Sequence, residues 1–136
     1  MTRPILFGYQ LLTGLSDACT GAMLIIAPSL TLQLVSMQVP TDALPFLSFV
    51  GAFVLSVGLI CLYGALLIRR SGCVSKLEVV WLVTAITRAS VAVFVLSQVS
   101  AGALASSWLT VAVFDGACST FQAIGLRKGW LIHAAR

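Results

Sequence analysis

Asp17, Arg88 and Asp115 each lie deep inside a long apolar run, where a charge has no water to solvate it. A charged side chain at the centre of a membrane-spanning helix costs about 2.5–3.5 kcal/mol on insertion scales, so three of them with opposite signs point to one another. An arginine held between two aspartates is a clamp that fixes helix order and rotation without any reaction. The same set carries one excess negative charge, which a proton or the polar headgroup of a ligand would neutralise. Both roles are open to it.

Polar residues recur around the three charges at helical spacing. Gln10, Thr13, Gly14, Thr20 and Gly21 stand at i−7, i−4, i−3, i+3 and i+4 from Asp17, Thr84 at i−4 from Arg88, and Cys118, Ser119 and Gln122 at i+3, i+4 and i+7 from Asp115. The candidate ligand or proton site is therefore Asp17, Arg88 and Asp115 with Gln10, Thr84, Ser119 and Gln122. In one reading these side chains line a polar cavity opening towards the cytoplasm. In the other, the hydroxyls satisfy their own helix backbone and the small residues let helices approach closely.

The elements that hold these residues follow from composition. Of 136 residues 60% are hydrophobic and 9% charged, with a mean hydropathy of +1.07, against roughly 45–50% apolar and about 25% charged in a soluble domain. That excludes a soluble globular domain and a disordered chain, and Cys19, Cys61, Cys73 and Cys118 form no closely paired disulfide framework. At about 20 residues per span, the chain reads as one membrane domain, 1–136, an all-α integral membrane four-helix bundle. The spans fall at about 5–27, 44–68, 77–99 and 107–126. The first follows Arg3-Pro4 and stops at Pro28; the second has Thr41 and Asp42 as candidate caps and ends in Arg69-Arg70. Ser75-Lys76-Leu77-Glu78 reads as a capping box for the third, and Arg127-Lys128-Gly129 closes the fourth. The first run is too long for a signal-peptide core and carries Asp17, so it reads as a retained helix. The connection from Pro28 to Ala43 reads as a short helix in the membrane interface.

Orientation comes from the cations. Arg3, Arg69, Arg70, Lys76, Arg127, Lys128 and Arg136 all fall on one side of four alternating spans, and residues 28–43 and 100–106 carry none. The positive-inside rule then places both termini in the cytoplasm. Counting about 1.5 Å per residue from that side, Asp17 lies roughly 18–20 Å in, Arg88 roughly 16–17 Å and Asp115 roughly 16–18 Å, a shared depth near the midplane. Tyr9, Tyr63 and Trp81 fall towards the cytoplasmic interface and Trp108 towards the outer one. The basic balance is a topology signal and a contact for anionic headgroups, not a nucleic-acid surface. The second span carries Ser48, Gly51, Leu55, Gly58, Leu62 and Ala65 on one stripe, a packing face.

No CxxC, GxGxxG, Walker or GxSxG pattern is present, and the lone histidine, His133, lies beyond the spans. The expectation is a protein without a catalytic constellation, a metal site or a resident cofactor, a quinone or lipid being the alternative occupant.

The chain resembles the DoxX-like group of small bacterial four-helix membrane proteins. The resemblance is carried by Thr13-Gly14-Leu15-Ser16-Asp17 through Ala27-Pro28, Phe49-Val50-Gly51-Ala52-Phe53 with Gly58, Thr87-Arg88, and Phe114-Asp115-Gly116 with Gln122. It implies a multi-pass protein of the bacterial inner membrane, a non-catalytic accessory or structural component linked to quinone or redox metabolism. Membrane lipids, a larger membrane complex or a homo-oligomer are the implied partners. The alternatives are a binding site for a quinone or lipid-like molecule and a small proton-coupled transporter. The group offers no catalytic motif to carry over.

Overall fold

The computed structural model describes residues 2–37, 39–70 and 74–135, the last three as backbone only; Cys73, Arg136 and the His133 ring lie outside the described residues. Everything regular in them is helical: α1 (Arg3–Ile26), α2 (Pro28–Leu34), α3 (Leu44–Arg69), α4 (Val74–Ser100), α5 (Leu109–Arg127) and α6 (Trp130–Ala135). Single 3₁₀ turns, Thr41–Ala43 and Ser106–Trp108, lead into α3 and α5.

Proline and glycine set several of the ends. Proline occupies the first turn of α1, α2 and α3, where its missing N–H leaves no bond unmade. Pro28 also ends α1: the chain leaves the helix at Ala27 (φ −142°, ψ 65°) and starts α2 at once. Gly129, at φ 63°, adopts the left-handed turn that closes α5, as its place after Arg127-Lys128 predicts. Two caps differ from the sequence reading. Thr41 and Asp42 form the 3₁₀ turn and make no side-chain cap to α3, and Val74 is already helical, so Ser75 sits inside the first turn of α4.

Among the described residues three segments are long and apolar enough to cross a membrane. They are Thr41–Arg69, Val74–Ser100 and Ser106–Arg127, with mean hydropathies of 2.3, 2.1 and 1.3. With 24 residues α1 has the length, but Gln10, Thr13, Asp17 and Thr20 dilute its hydropathy.

The long helices pack as two antiparallel pairs, α1 with α3 and α4 with α5. α3 and α4 touch over a shorter stretch, and no Cα of α1 comes within 8 Å of α4 or α5. Glycines let the first pair close. Gly21 lies against Gly51 and Leu55, and Gly58 against Gly14 and Ala18. A Cβ on Gly58 would stand 2.9 Å from the Gly14 carbonyl oxygen, so only glycine allows that approach. The stripe expected on the second span is thus the face that meets α1.

Two apolar clusters close the ends. Leu6, Ile68, Leu77, Val80, Trp81 and Leu131 form one at the basic end, where α1 begins and α5 finishes. Leu24, Leu32, Met37 and Leu47, with Trp108 and Val111 against them, form the other. Large apolar side chains such as Leu12, Phe46, Phe53, Val93, Phe94 and Val113 face outward.

Candidate functional site

Between the two clusters the interior turns polar. Arg88, 3% exposed, projects from the middle of α4 towards both neighbouring bodies. Its Nη1 donates to Asp115 Oδ1 on α5 at 2.6 Å, and its Nη2 donates to Asp17 Oδ2 on α1. Asp17 is buried and Asp115 half-buried, their side chains 11% and 15% exposed. The Phe114 ring lies 5.4 Å from the guanidinium carbon, within range of a cation–π contact.

The two ion pairs differ in what they join. Arg88–Asp115 lies within the α4/α5 pair, whereas Arg88–Asp17 crosses to the α1/α3 pair. It is the one ion pair between the two bodies among the described residues. Because α1 is not packed against α4 or α5 by backbone proximity, side chains must span the gap, and a guanidinium has the reach and the fork of donors to do so.

The other predicted site residues separate into three contacts. Gln122 Nε2 donates to Thr84 Oγ1 at 2.9 Å, and that hydroxyl donates to the Val80 carbonyl at 2.8 Å. Ser119 Oγ donates to the Ala85 carbonyl at 2.9 Å, a third tie of α5 to α4. Gln10 does not join them: it turns to α3, where its Nε2 donates to the Cys61 carbonyl at 3.3 Å over the space left by Gly64. Thr13, beside it, bonds the Tyr9 carbonyl of its own helix, and Thr20 is exposed instead of facing the charges.

Towards the basic end the polar residues give way to packed apolar ones, the cluster around Leu6, Trp81 and Leu131. Four buried polar atoms in this region, Gln10 Oε1, Trp81 Nε1, Arg88 Nε and Gln122 Oε1, have no protein partner. Such atoms are uncommon in packed interiors and cluster where function or strain requires them.

Tyr9, expected towards the basic end together with Trp81, lies there and packs against the aromatic rings of α4 and α5. Its ring centroid lies 4.6 Å from that of Phe121 and 5.6 Å from that of Trp81, and its hydroxyl donates to the Cys118 carbonyl at 3.4 Å. It therefore bridges α1 to α4 and α5 one layer below the ion cluster. Trp81 is fully buried, its ring accommodated by Gly125, where a Cβ would stand 2.5 Å from Trp81 Cζ3. Tyr63, by contrast, is 48% exposed. The signal available was position, since Tyr9 and Trp81 both lie seven or eight residues from a buried charge.

Compared with protein-family models, curated proteins and solved structures, the chain matches none.

Proposed function

We propose that this chain is a multi-pass protein of the bacterial inner membrane, of the DoxX-like type, acting as a non-catalytic accessory or structural component linked to quinone or redox metabolism. In this reading α1 is a fourth span and both termini face the cytoplasm. The Asp17–Arg88–Asp115 cluster is a clamp that holds the α1/α3 pair on the α4/α5 pair. The single observation that carries the clamp is Arg88 donating to carboxylates on both bodies.

Several features support the fourth span. At about 1.5 Å per residue α1 is about 36 Å long, enough for a hydrocarbon core of about 30 Å. Its polar residues Gln10, Thr13 and Asp17 are buried, and Ile5, Leu12, Leu15, Ile25 and Ile26 are among those it turns outward. Arg3 at its start meets the end of α3, so the described cations other than Arg88 collect at one end.

A second reading, a site for a quinone or lipid-like molecule, is favoured by the four unpartnered polar atoms and the residual exposure of both carboxylates. Mass spectrometry of the protein purified in mild detergent separates the two. Co-purification of a redox-enzyme subunit, with no quinone retained, supports the accessory role. A stoichiometric quinone lost in Asp115→Asn supports the second reading and contradicts the first.

Topology is tested with impermeant thiol reagents in a cysteine-free background. Thr2→Cys and Ser75→Cys are expected to label from the cytoplasmic side only, and Gln33→Cys and Ala101→Cys from the outer side only. Labelling of Thr2→Cys from outside would remove α1 as a span.

A further inference from the structure

The first turns of α1 and the last turn of α3 enclose an open crevice of about 550 Å³, lined by Arg3, Pro4, Phe7, Ile68 and Arg69. We propose that this crevice binds one anionic phospholipid, its phosphate on Arg69 and the start of an acyl chain against Pro4, Phe7 and Ile68.

The two arginines have different tasks. Arg3 is committed to structure: its Nε and Nη2 donate to the Ile68 carbonyl at 3.2 and 2.6 Å, and Nη2 reaches the Arg69 carbonyl at 3.3 Å. These are end carbonyls of α3, beyond its last i→i−4 bond from Arg70 to Leu66, and a cation there also opposes the negative end of the helix dipole. Arg69 contributes only its carbonyl to that arrangement; its side chain is exposed and makes no hydrogen bond among the described residues. A guanidinium fork matches a phosphate, and a cation at the membrane surface contributes about 1 kcal/mol towards an anionic lipid.

The walls decide between a lipid and a free anion. Pro4, Phe7 and Ile68 offer apolar surface directly beside the two cations, an arrangement that a soluble phosphate leaves unused and an amphiphile fills. The level fits too, since the crevice lies where two helices end and the described cations other than Arg88 gather. The site rests on the four-span reading above, which puts this end at the cytoplasmic headgroups, where the anionic lipids lie.

Native mass spectrometry tests it, with the full chain in mild detergent offered equal amounts of phosphatidylglycerol and phosphatidylcholine of the same acyl chains. The first lipid retained is expected to be phosphatidylglycerol. Arg69→Gln is expected to lower its retention about fivefold, the equivalent of about 1 kcal/mol, while Arg69→Lys keeps most of it. Arg127→Gln, an exposed cation that does not line the crevice, is expected to leave retention unchanged. Equal retention of the two lipids, or equal losses in Arg69→Gln and Arg127→Gln, would overturn the site. Displacement by glycerol 3-phosphate would overturn it as well, because that headgroup has no acyl chain. A failure of the four-span reading shows separately, as labelling of Thr2→Cys from the outer side.

Discussion

Removing Arg88 and removing its two partners are unequal perturbations, because a carboxylate can take up a proton and a guanidinium cannot lose one. In Arg88→Leu, Asp17 and Asp115 are left without their counter-ion, and each escapes the cost of a buried charge by protonation. Keeping a carboxyl of ordinary pKa, about 3.9, protonated costs about 1.5 kcal/mol at pH 5 and about 5.6 kcal/mol at pH 8. In Asp17→Leu/Asp115→Leu the stranded ion is Arg88, 3% exposed, and losing the partners of a buried ion costs about 3–5 kcal/mol at any working pH. At about 3–4 °C per kcal/mol for a chain of this length, the double aspartate variant should melt roughly 10–20 °C below the parent at both pH values. Arg88→Leu, at about 3 kcal/mol for its two carboxyls, should melt level with or above the double variant at pH 5 and lose up to about 4 kcal/mol per carboxylate on going to pH 8. The sign follows from linkage: the native variant holds protons that its unfolded chain releases, so stability falls as pH rises. Thermal unfolding in mild detergent, followed by intrinsic fluorescence at pH 5 and pH 8, reads all of these. An Arg88→Leu protein that melts below the double variant at pH 5 and ignores pH would refute the reasoning, since its carboxylates would then not be buried.

Three further outcomes follow from the packing. Gly58→Leu drives a side chain into the Gly14 carbonyl and should cost about 1–3 kcal/mol, whereas Gly8→Leu, at a position where a Cβ meets nothing within 4 Å, should leave the melting temperature unchanged. Tyr9→Phe forfeits one hydrogen bond and should cost about 0.5–1.5 kcal/mol, while Tyr9→Ala also empties the space between Trp81 and Phe121 and should cost about 3–5 kcal/mol; equal losses in the two would contradict the bridging role. In a cysteine-free background, Asp17→Cys with Asp115→Cys should join through a short bifunctional thiol reagent more readily than Leu55→Cys with Asp115→Cys, as gel mobility shows.

The depth of the charges was legible because residues along a helix count out distance: three runs, three charges, one level. The small-residue stripe on α3 was legible for a similar reason, since Gly51 and Gly58 recur at a helical period and have no other use in an apolar span. Rotation and pairing were not. Hydropathy says how deep Tyr9 and Trp81 lie, and an aromatic at that depth serves equally as an anchor facing lipid or as a wedge facing in. Only the grouping of α1 with α3 and α4 with α5 decides between them. Gln10 shows the same limit: it shares a face with Asp17, yet it turns to Cys61 because Gly64 leaves room there, a fact that depends on the register of α1 against α3. α1 falls outside the segments apolar enough to cross a membrane because its inward stripe is the polar one.

The clamp stands on Arg88 coupling α1 to α4, and a double-mutant cycle on melting free energies measures that coupling. The cycle compares Asp17→Asn, Arg88→Gln and the two together, in detergent at pH 7. If the ion pair joins the two bodies, the double variant should be more stable than the sum of the single losses predicts, by about 1.5–3 kcal/mol. Losses that add to within about 0.5 kcal/mol would mean that Asp17 and Arg88 do not meet, and the clamp would be contradicted.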